Sequence, residues 1–183
     1  MESLGRKRVK ILSYKKYKGC ESFPFFCIFV TMKRVALFAG SFNPLTTGHR
    51  DIYDQAESIF GEGNVLLALG NNPDKSHVDF AREREIKNNN PSMNVISYGG
   101  FLHDFIIKIE SEGFDVTLVR GLRNGDDLQY EQNQLAFMRD YKPDIKVMFL
   151  LGDRSLEHVS SSAVRAIQKI DPFGGEKYIS KEV

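Results

Sequence analysis

The sequence predicts an α/β fold, a doubly wound, Rossmann-like parallel sheet with helices on both faces. Two observations support this prediction. From Lys33 onward, apolar runs alternate with segments of helical periodicity, as in parallel strands joined by helices. The apolar runs also lack polar alternation, as expected for strands buried on both faces. With 183 residues, the chain is long enough to form one such domain with its own core.

The first half of this pattern predicts three strands and two helices. The strands comprise residues 35–39, 65–69 and 94–97. A glycine-rich turn follows the first strand, and a helix then begins after His49 and stops before Gly61. The spacing of Ile52, Ala56, Ile59 and Phe60 indicates its buried face. The second strand is followed by a loop at 71–74, and the charged stretch 81–94 is weakly helical and interrupted at Pro91.

The second half predicts two strands and three helices. An apolar helix face is formed by Leu102, Phe105, Ile106 and Ile109. The strands comprise residues 116–119 and 146–151, and a loop with two arginines follows the first of them. Asp126 and Asp127 suit the first turn of a long helix that ends near Tyr141, because Pro143 prevents its continuation. Serines 160–162 stand where a last short helix would be capped.

Residues 1–31 differ in composition from the rest of the chain. A basic segment precedes a short apolar run that Pro24 interrupts and that lacks the cleavage pattern of an exported protein. We therefore interpret 1–31 as a poorly ordered or non-native extension and 32–183 as the domain. The two cysteines, Cys20 and Cys27, have no metal-type spacing, and a cytoplasmic location without membrane association is expected.

The charge balance restricts the kind of ligand. Twenty-five basic and 24 acidic residues give a formal charge of +1, so no broad positive field is available to bind a nucleic acid. An anionic ligand must therefore be held by local groups.

The unusual polar residues all follow predicted strands. The segment Gly40–His49 joins the first strand to its helix, and its glycines and helix N-terminus suit a phosphate. It does not match the P-loop pattern, since His49 stands where lysine and a hydroxyl residue would be. A histidine at a helix start is also often structural, and that alternative stays open for His49 alone.

The other clusters have structural alternatives too. Arg120 and Arg123 flank a glycine and suit anionic oxygens, but they could also be solvated arginines at a strand end. Ser160, Ser161 and Ser162 could cap a helix, bind phosphate or do both. Lys75 alone would be an ordinary surface lysine.

Three segments resemble one family in the same order from Met32 to near the end. Gly40-Ser41-Phe42-Asn43-Pro44 with Thr46-Thr47-Gly48-His49 resembles the T/HxGH signature of the nucleotidyltransferase superfamily. Arg120-Gly121-Leu122-Arg123 with Tyr130-Glu131, and Val159 to Val164, resemble phosphopantetheine adenylyltransferase. This sequence departs from the family's pattern at Asn43, where the family usually has aspartate. It also departs from that pattern at 81–94, at the C-terminal helix and at 152–158.

The resemblance implies a set of site residues. It makes His49, Lys75, Arg120 and Arg123 catalytic through charge stabilisation, and it assigns Ser41, Lys75, Leu102 and Arg120 to the acceptor. The ATP site that it implies consists of Ser41, Phe42, His49, Gly121, Leu122, Arg123, Glu131, Leu156, Glu157, His158, Val159, Ser160, Ser161 and Ser162.

The implied reaction transfers AMP from ATP to 4'-phosphopantetheine, giving dephospho-coenzyme A and pyrophosphate. Mg²⁺ is expected with the ATP, held by nucleotide and water rather than by a protein metal site, and the family's hexamer is the implied assembly. Two alternatives stay open. One is a nicotinamide or nicotinate mononucleotide adenylyltransferase, and the other is a non-catalytic nucleotide-binding sensor, which the altered 152–158 stretch suggests.

Overall fold

A computed structural model describes residues 32–70 and 80–182. Lys75, the predicted loop 71–74, the N-terminal extension 1–31 and both cysteines lie outside these residues. The elements are β1 (Lys33–Gly40), α1 (Thr47–Phe60), β2 (Val65–Gly70), α2 (Phe80–Asn89), β3 (Asn94–Tyr98), α3 (Leu102–Ser111), β4 (Phe114–Leu122), α4 (Gly125–Tyr141), β5 (Val147–Leu151) and α5 (Ser161–Gln168). None of the helices in the described ranges is both long and apolar enough to cross a membrane.

The five strands form one parallel sheet in the order β3-β2-β1-β4-β5. β1 lies in the middle, and its apolar run from Val35 to Ala39 is buried. The chain moves from β1 outward through β2 and β3 and then returns to the other side of β1 as β4. The carboxyl ends of β1 and β4 therefore form a topological switch point, where ligands bind in open α/β sheets.

Helices cover both faces of the sheet, as the sequence predicts. On one face α1 and α2 contribute Ile52, Tyr53, Ala56 and Ile86 to a core. On the other face α3 and α4 contribute Ile106, Ile109 and Leu135 to a second core. The predicted apolar face of α1 is wrong at Ile59, which is 54% exposed. Tyr53 is buried instead, because its hydroxyl reaches the backbone of Val65 and Asn94.

The sequence prediction for β4 also needs correction. The predicted strand ends at Val119 and leaves both arginines in a loop, whereas β4 continues to Leu122. The reason is tertiary pairing, since Arg120 pairs with Phe149 and Leu122 with Leu151 of β5. Arg120 is therefore fixed on a central strand, and Arg123 is the first residue beyond it.

Residues 179–182 form a strap across the start of α1. Ile179 pairs with Thr46, and the Ser180 N–H donates to the Leu45 carbonyl at 3.0 Å. The Ser180 hydroxyl donates to buried Asn90 at 2.7 Å, and the carboxylate of Glu182 binds Arg50 at 2.5 Å. The strap thus connects the β1–α1 loop to the end of α2.

Candidate functional site

A cavity of about 480 Å³ opens at the switch point. Its walls come from the β1–α1 loop, the end of β4, the first turns of α4 and the start of α5. α1 and α5 both begin at this cavity, and the unpaired N–H groups of a helix start favour anions. The site is therefore built from strand ends and helix starts, the parts of the fold with free backbone donors.

Thr46 and His49 form a capping box at the start of α1. The Thr46 N–H donates to His49 Nδ1 at 3.0 Å, and the Thr46 hydroxyl oxygen lies 3.0 Å from the same nitrogen. In return the His49 N–H donates to this hydroxyl oxygen at 3.4 Å. Because Nδ1 accepts a hydrogen bond, the proton of the neutral imidazole resides on Nε2. The capping box thus sets both the orientation and the tautomer of the ring.

The imidazole is neutral at physiological pH. Burial, and to a smaller extent the positive charge of Arg123, lower the pKa of His49 to about 4. The ring lines the cavity. Its Nε2–H is consequently a hydrogen-bond donor that keeps its proton at pH 7.

Phe42 fixes the loop beside this histidine. Its φ of 43° lies in the left-handed region, which is uncommon for a residue other than glycine. The ring packs edge-on against Phe38 and His49, with centroids 5.1 Å away in each case. A Cβ on Gly40 would lie 3.0 Å from this ring, so a larger residue there would have to displace the ring of Phe42. Packing thus stabilises the strained backbone, and such strain is frequent at functional sites.

Two carboxylates of α4 hold the two arginines of the site. Arg123 donates from Nε and Nη2 to the carboxylate of Asp127 at 2.9 and 2.8 Å, and its backbone N–H donates to the same group at 2.9 Å. Arg120 Nε lies 3.1 Å from Glu131 Oε2, and its Nη1 donates to the Ala39 carbonyl at 2.8 Å. Asp127 and Glu131 are four residues apart and therefore share one face of α4.

The ion pair between Arg123 and Asp127 also shifts the pKa values of its two members. The hydrogen bonds from Arg123 lower the pKa of Asp127, and the Asp127 carboxylate raises the pKa of Arg123. All four groups are partly buried, with exposed side-chain fractions between 18% and 43%. Both guanidinium groups are thus oriented by carboxylates of α4.

α5 closes the opposite wall. The Ser160 hydroxyl accepts the Ala163 N–H at 3.1 Å, which confirms the predicted cap, and the Ser161 hydroxyl donates to the Pro44 carbonyl at 2.8 Å. Two arginines then hold the β1–α1 loop from outside. Arg82 of α2 donates to the Ser41 carbonyl at 2.7 Å, and Arg165 of α5 donates to the Asn43 carbonyl.

The cavity brings together most of the predicted site residues. Those that line it are Ser41, Phe42, His49, Arg120, Gly121, Leu122, Arg123, Glu131, Leu156, Val159, Ser160, Ser161 and Ser162. Within the described part of the chain, Leu102, Glu157 and His158 are not among its walls. Leu102 packs against the second core, and His158 lies edge-on to Tyr178 at 5.5 Å. The roles assigned to these three residues stay predictions, as does that of Lys75.

Sequence reasoning missed several contributors. Thr46 is in the recognised motif but was not assigned a role, and Asp127 was assigned only to the helix start. Ile52, Tyr130 and Asp153 also line the cavity. A signal existed for Asp127, since it follows Arg123 by four residues, the spacing of an ion pair. Arg82 and Arg165 carry no comparable local signal.

The arrangement suits a chain of phosphates. Two oriented arginines, a neutral histidine donor and two helix starts surround a cavity at the switch point of a parallel sheet. The fold and the site together define a nucleotide-binding α/β protein.

Comparison with known proteins gives the family. The cytidylyltransferase-like family model matches residues 37–178. Curated phosphopantetheine adenylyltransferases are similar over most of their length. That of Porphyromonas gingivalis is 36% identical over 74% of this chain and 87% of its own, and that of Christiangramia forsetii is 38% identical over 72% and 86%. The Clostridium kluyveri protein is 32% identical over 81% and 89%. The chain therefore belongs to the cytidylyltransferase-like family and, within it, to the phosphopantetheine adenylyltransferases.

Solved structures agree on the fold. A Vibrio parahaemolyticus structure described as a nicotinate-nucleotide adenylyltransferase superposes with a TM-score of 0.55 at 21% identity, covering 81% of this chain and 88% of that one. A NadR protein in complex with NAD and AMP-PNP gives 0.52 at 16% identity over 81% and 45%. At these identities the likeness concerns the fold alone.

Proposed function

We propose that the protein transfers AMP from ATP to 4'-phosphopantetheine, producing dephospho-coenzyme A and pyrophosphate. One observation carries the proposal: the His49 donor and the Asp127-bound Arg123 converge on one cavity with the starts of α1 and α5. The names of its relatives support the choice of acceptor, since those relatives match at 30% identity or more over most of their length.

The two substrates would occupy opposite sides of Arg120. Gly121, Leu122 and the α5 serines would border the nucleotide, with Arg123 and Nε2 of His49 at the triphosphate. Arg120 would hold the phosphate of the acceptor, and the exposed Ser41 would lie between the two ligands. The family resemblance implies this division. It is compatible with the positions of the two arginines, because Arg120 lies within β4 beside β1 and Arg123 is the first residue after the carboxyl end of β4.

In the chemical step, an oxygen of the acceptor phosphate attacks the α-phosphorus of ATP. The new bond joins this oxygen to phosphorus, the bond from phosphorus to the β-phosphate oxygen breaks, and pyrophosphate leaves with that electron pair. The nucleophile is already anionic, so the protein mainly aligns the reactants and stabilises charge. Alignment alone can contribute about 7 to 11 kcal/mol. A neutral Nε2–H suits this task because it donates to phosphate oxygen without giving up its proton.

Mg²⁺ is proposed to enter with the triphosphate, where it would neutralise phosphate charge. The cavity carboxylates fit this view, since Asp127 and Glu131 hold arginines and Asp153 accepts the Ser155 N–H at 2.7 Å. These three carboxylates already bind groups of the protein. The ion would therefore keep mostly nucleotide and water ligands.

A cytoplasmic location and a homo-oligomer, a hexamer by family resemblance, belong to the same proposal. Phe101, Phe137 and Tyr141 are 67–70% exposed and give the protein an aromatic surface suited to such contacts. Sedimentation velocity would measure the assembly.

Pyrophosphate release tests the function. The purified chain receives ATP and Mg²⁺ with 4'-phosphopantetheine or with nicotinamide mononucleotide. We expect release only with phosphopantetheine. Pyrophosphate release with the mononucleotide instead would favour a mononucleotide adenylyltransferase. No release with either acceptor would favour a nucleotide-binding sensor.

A further inference from the structure

The carboxyl end of β5 is tied to the first half of α1. Asp51 and Gln55 are four residues apart in α1 and therefore share one face of this helix. Nε2 of Gln55 donates to the Leu151 carbonyl at 3.0 Å and to the Asp51 carboxylate at 3.1 Å. The last residue of β5 is thus held by a side chain of α1 as well as by its pairing with β4.

The carboxylate of Asp51 holds the chain where it leaves β5. The Asp153 N–H donates to Oδ2 of Asp51 at 2.8 Å, although 102 residues separate the two. The Gly152 N–H donates to the Leu122 carbonyl of β4 at 2.9 Å. A Cβ built on Gly152 would lie 3.7 Å from Oδ2 of Asp51, so the carboxylate lies directly against this turn. Gly152 and Asp153 are therefore fixed from two sides.

The segment that Asp51 holds is a wall of the cavity. Gly152, Asp153 and Leu156 all line it. Asp153 also starts the single helical turn Arg154–Leu156, because its carboxylate accepts the Ser155 N–H at 2.7 Å and its carbonyl accepts the Leu156 N–H at 2.9 Å. The place of Leu156 in the wall thus depends on Asp153, whose backbone Asp51 holds.

We propose that Asp51 is a positioning residue for the nucleotide, and that it acts by holding residues 152–156 in the cavity wall. A backbone N–H bound to a carboxylate makes a charge-assisted bond, which is stronger than a bond to a neutral acceptor. The inference rests on the proposed function, because that function puts the nucleotide, and not the acceptor, beside Leu156.

Asp51→Ala is the first test, because it removes the acceptor of the Asp153 N–H. We expect the KM for ATP to rise about fivefold, since a bond to a charged group is worth about tenfold and only part of its loss reaches the ligand. The KM for 4'-phosphopantetheine and kcat should stay near wild type. Asp51→Asn keeps an oxygen that can accept this N–H, so it should recover most of the ATP affinity.

Asp54→Ala is the matched control on the same helix. Asp54 is exposed, and its carboxylate binds Arg50 at 2.7 Å instead of the segment that follows β5. This variant should keep the wild-type KM for both substrates. An ATP KM raised as much as in Asp51→Ala would show a general effect of losing a carboxylate from α1 and would overturn the inference.

Amide hydrogen exchange gives a second readout that does not depend on activity. In Asp51→Ala the Asp153 N–H should exchange about tenfold faster than in the wild type, because its acceptor is gone. The Gly152 N–H keeps its backbone acceptor, the Leu122 carbonyl, and should change much less. An unchanged rate at Asp153 would overturn the inference, since Asp51 would then not hold this segment.

The outcomes separate the two proposals. A wild-type chain that releases no pyrophosphate with 4'-phosphopantetheine overturns the proposed function and this inference with it. An active wild type combined with an unchanged ATP KM in Asp51→Ala overturns the inference alone. A lower kcat at an unchanged ATP KM would mean that Asp51 acts through His49, two residues before it, and would overturn the inference as well.

Discussion

Nδ1 of His49 accepts the backbone N–H of Thr46 at 3.0 Å, so the site histidine is held by the same contact that begins its helix. The capping box is thus a structural element that also fixes the ring of a residue lining the cavity. A structural contact and the proposed chemical role of His49, which the sequence left as alternatives, are therefore compatible.

We expect His49→Ala to lower kcat by about 10²- to 10³-fold, the usual effect of removing one transition-state donor, and to change the ATP KM much less. The reason is that Nε2–H is proposed to act on charge that develops during transfer. Initial rates at varied ATP concentration measure both constants. Equal losses in kcat and in ATP binding would contradict this role.

Thr46→Val should lower kcat while leaving both KM values near wild type. The hydroxyl next to Nδ1 is lost, so the imidazole loses one of the contacts that orient it, and the helix loses its side-chain cap. Thr46→Ser retains the hydroxyl and should restore kcat. A valine variant as active as the serine variant would show that the cap has no part in turnover.

The folded protein should show an unusual titration of His49. Its native pKa is about 4, below the ordinary value of 6.5, so the unfolded state binds more protons between these values. This group therefore destabilises the fold as pH falls from about 6.5 to 4 and has no such effect above pH 7. NMR of the imidazole protons measures the native midpoint, and a midpoint near 6.5 would show that the ring is not desolvated.

Asp127→Asn should raise the ATP KM several-fold, because a neutral amide cannot hold Arg123 by two charge-assisted bonds. Asp126→Asn is the matched control on the same helix turn. Asp126 is exposed and does not line the cavity, so its variant should keep the wild-type KM. A lower ATP KM in Asp127→Asn would mean that the carboxylate competes with the triphosphate instead of positioning the arginine.

Gly121→Ala should destabilise the fold. The new Cβ would lie 2.7 Å from Cγ1 of Ile52, and overpacking of this kind costs about 1 to 3 kcal/mol. Gly125→Ala is the control, since a Cβ at this position in α4 meets nothing within 4 Å. Urea unfolding measures both variants. The cost of Gly121→Ala should shrink in an Ile52→Ala background, and an undiminished cost would exclude this contact as the cause.

The sequence predicted the elements of the fold because their signals are local. The apolar run at Val35–Ala39 and the helix stop at Pro143 can be read within a few residues, and both are confirmed. The end of β4 could not be predicted in this way. Arg120 belongs to a strand only because Phe149, which lies far along the chain, pairs with it.

The residues of the candidate site differ in the same way, since some have a local signal in the sequence and others do not. The motif around His49 and the two arginines, Arg120 in β4 and Arg123 just beyond it, were recognised from their residues, and the structure places them at one cavity. The contacts of Arg82 and Arg165 with the β1–α1 loop depend on how separate elements pack. No spacing in the chain encodes such contacts.

The strap of residues 179–182 affects the order in which parts of the site become fixed during synthesis of the chain. Glu182 binds Arg50 across a separation of 132 residues, and Ser180 holds Leu45 at the start of the motif. A growing chain therefore exposes the β1–α1 loop long before the segment that fixes it has been made. A nascent chain that lacks residues 179–182 would carry the whole motif without the contacts that hold Leu45 and Arg50 in the folded protein.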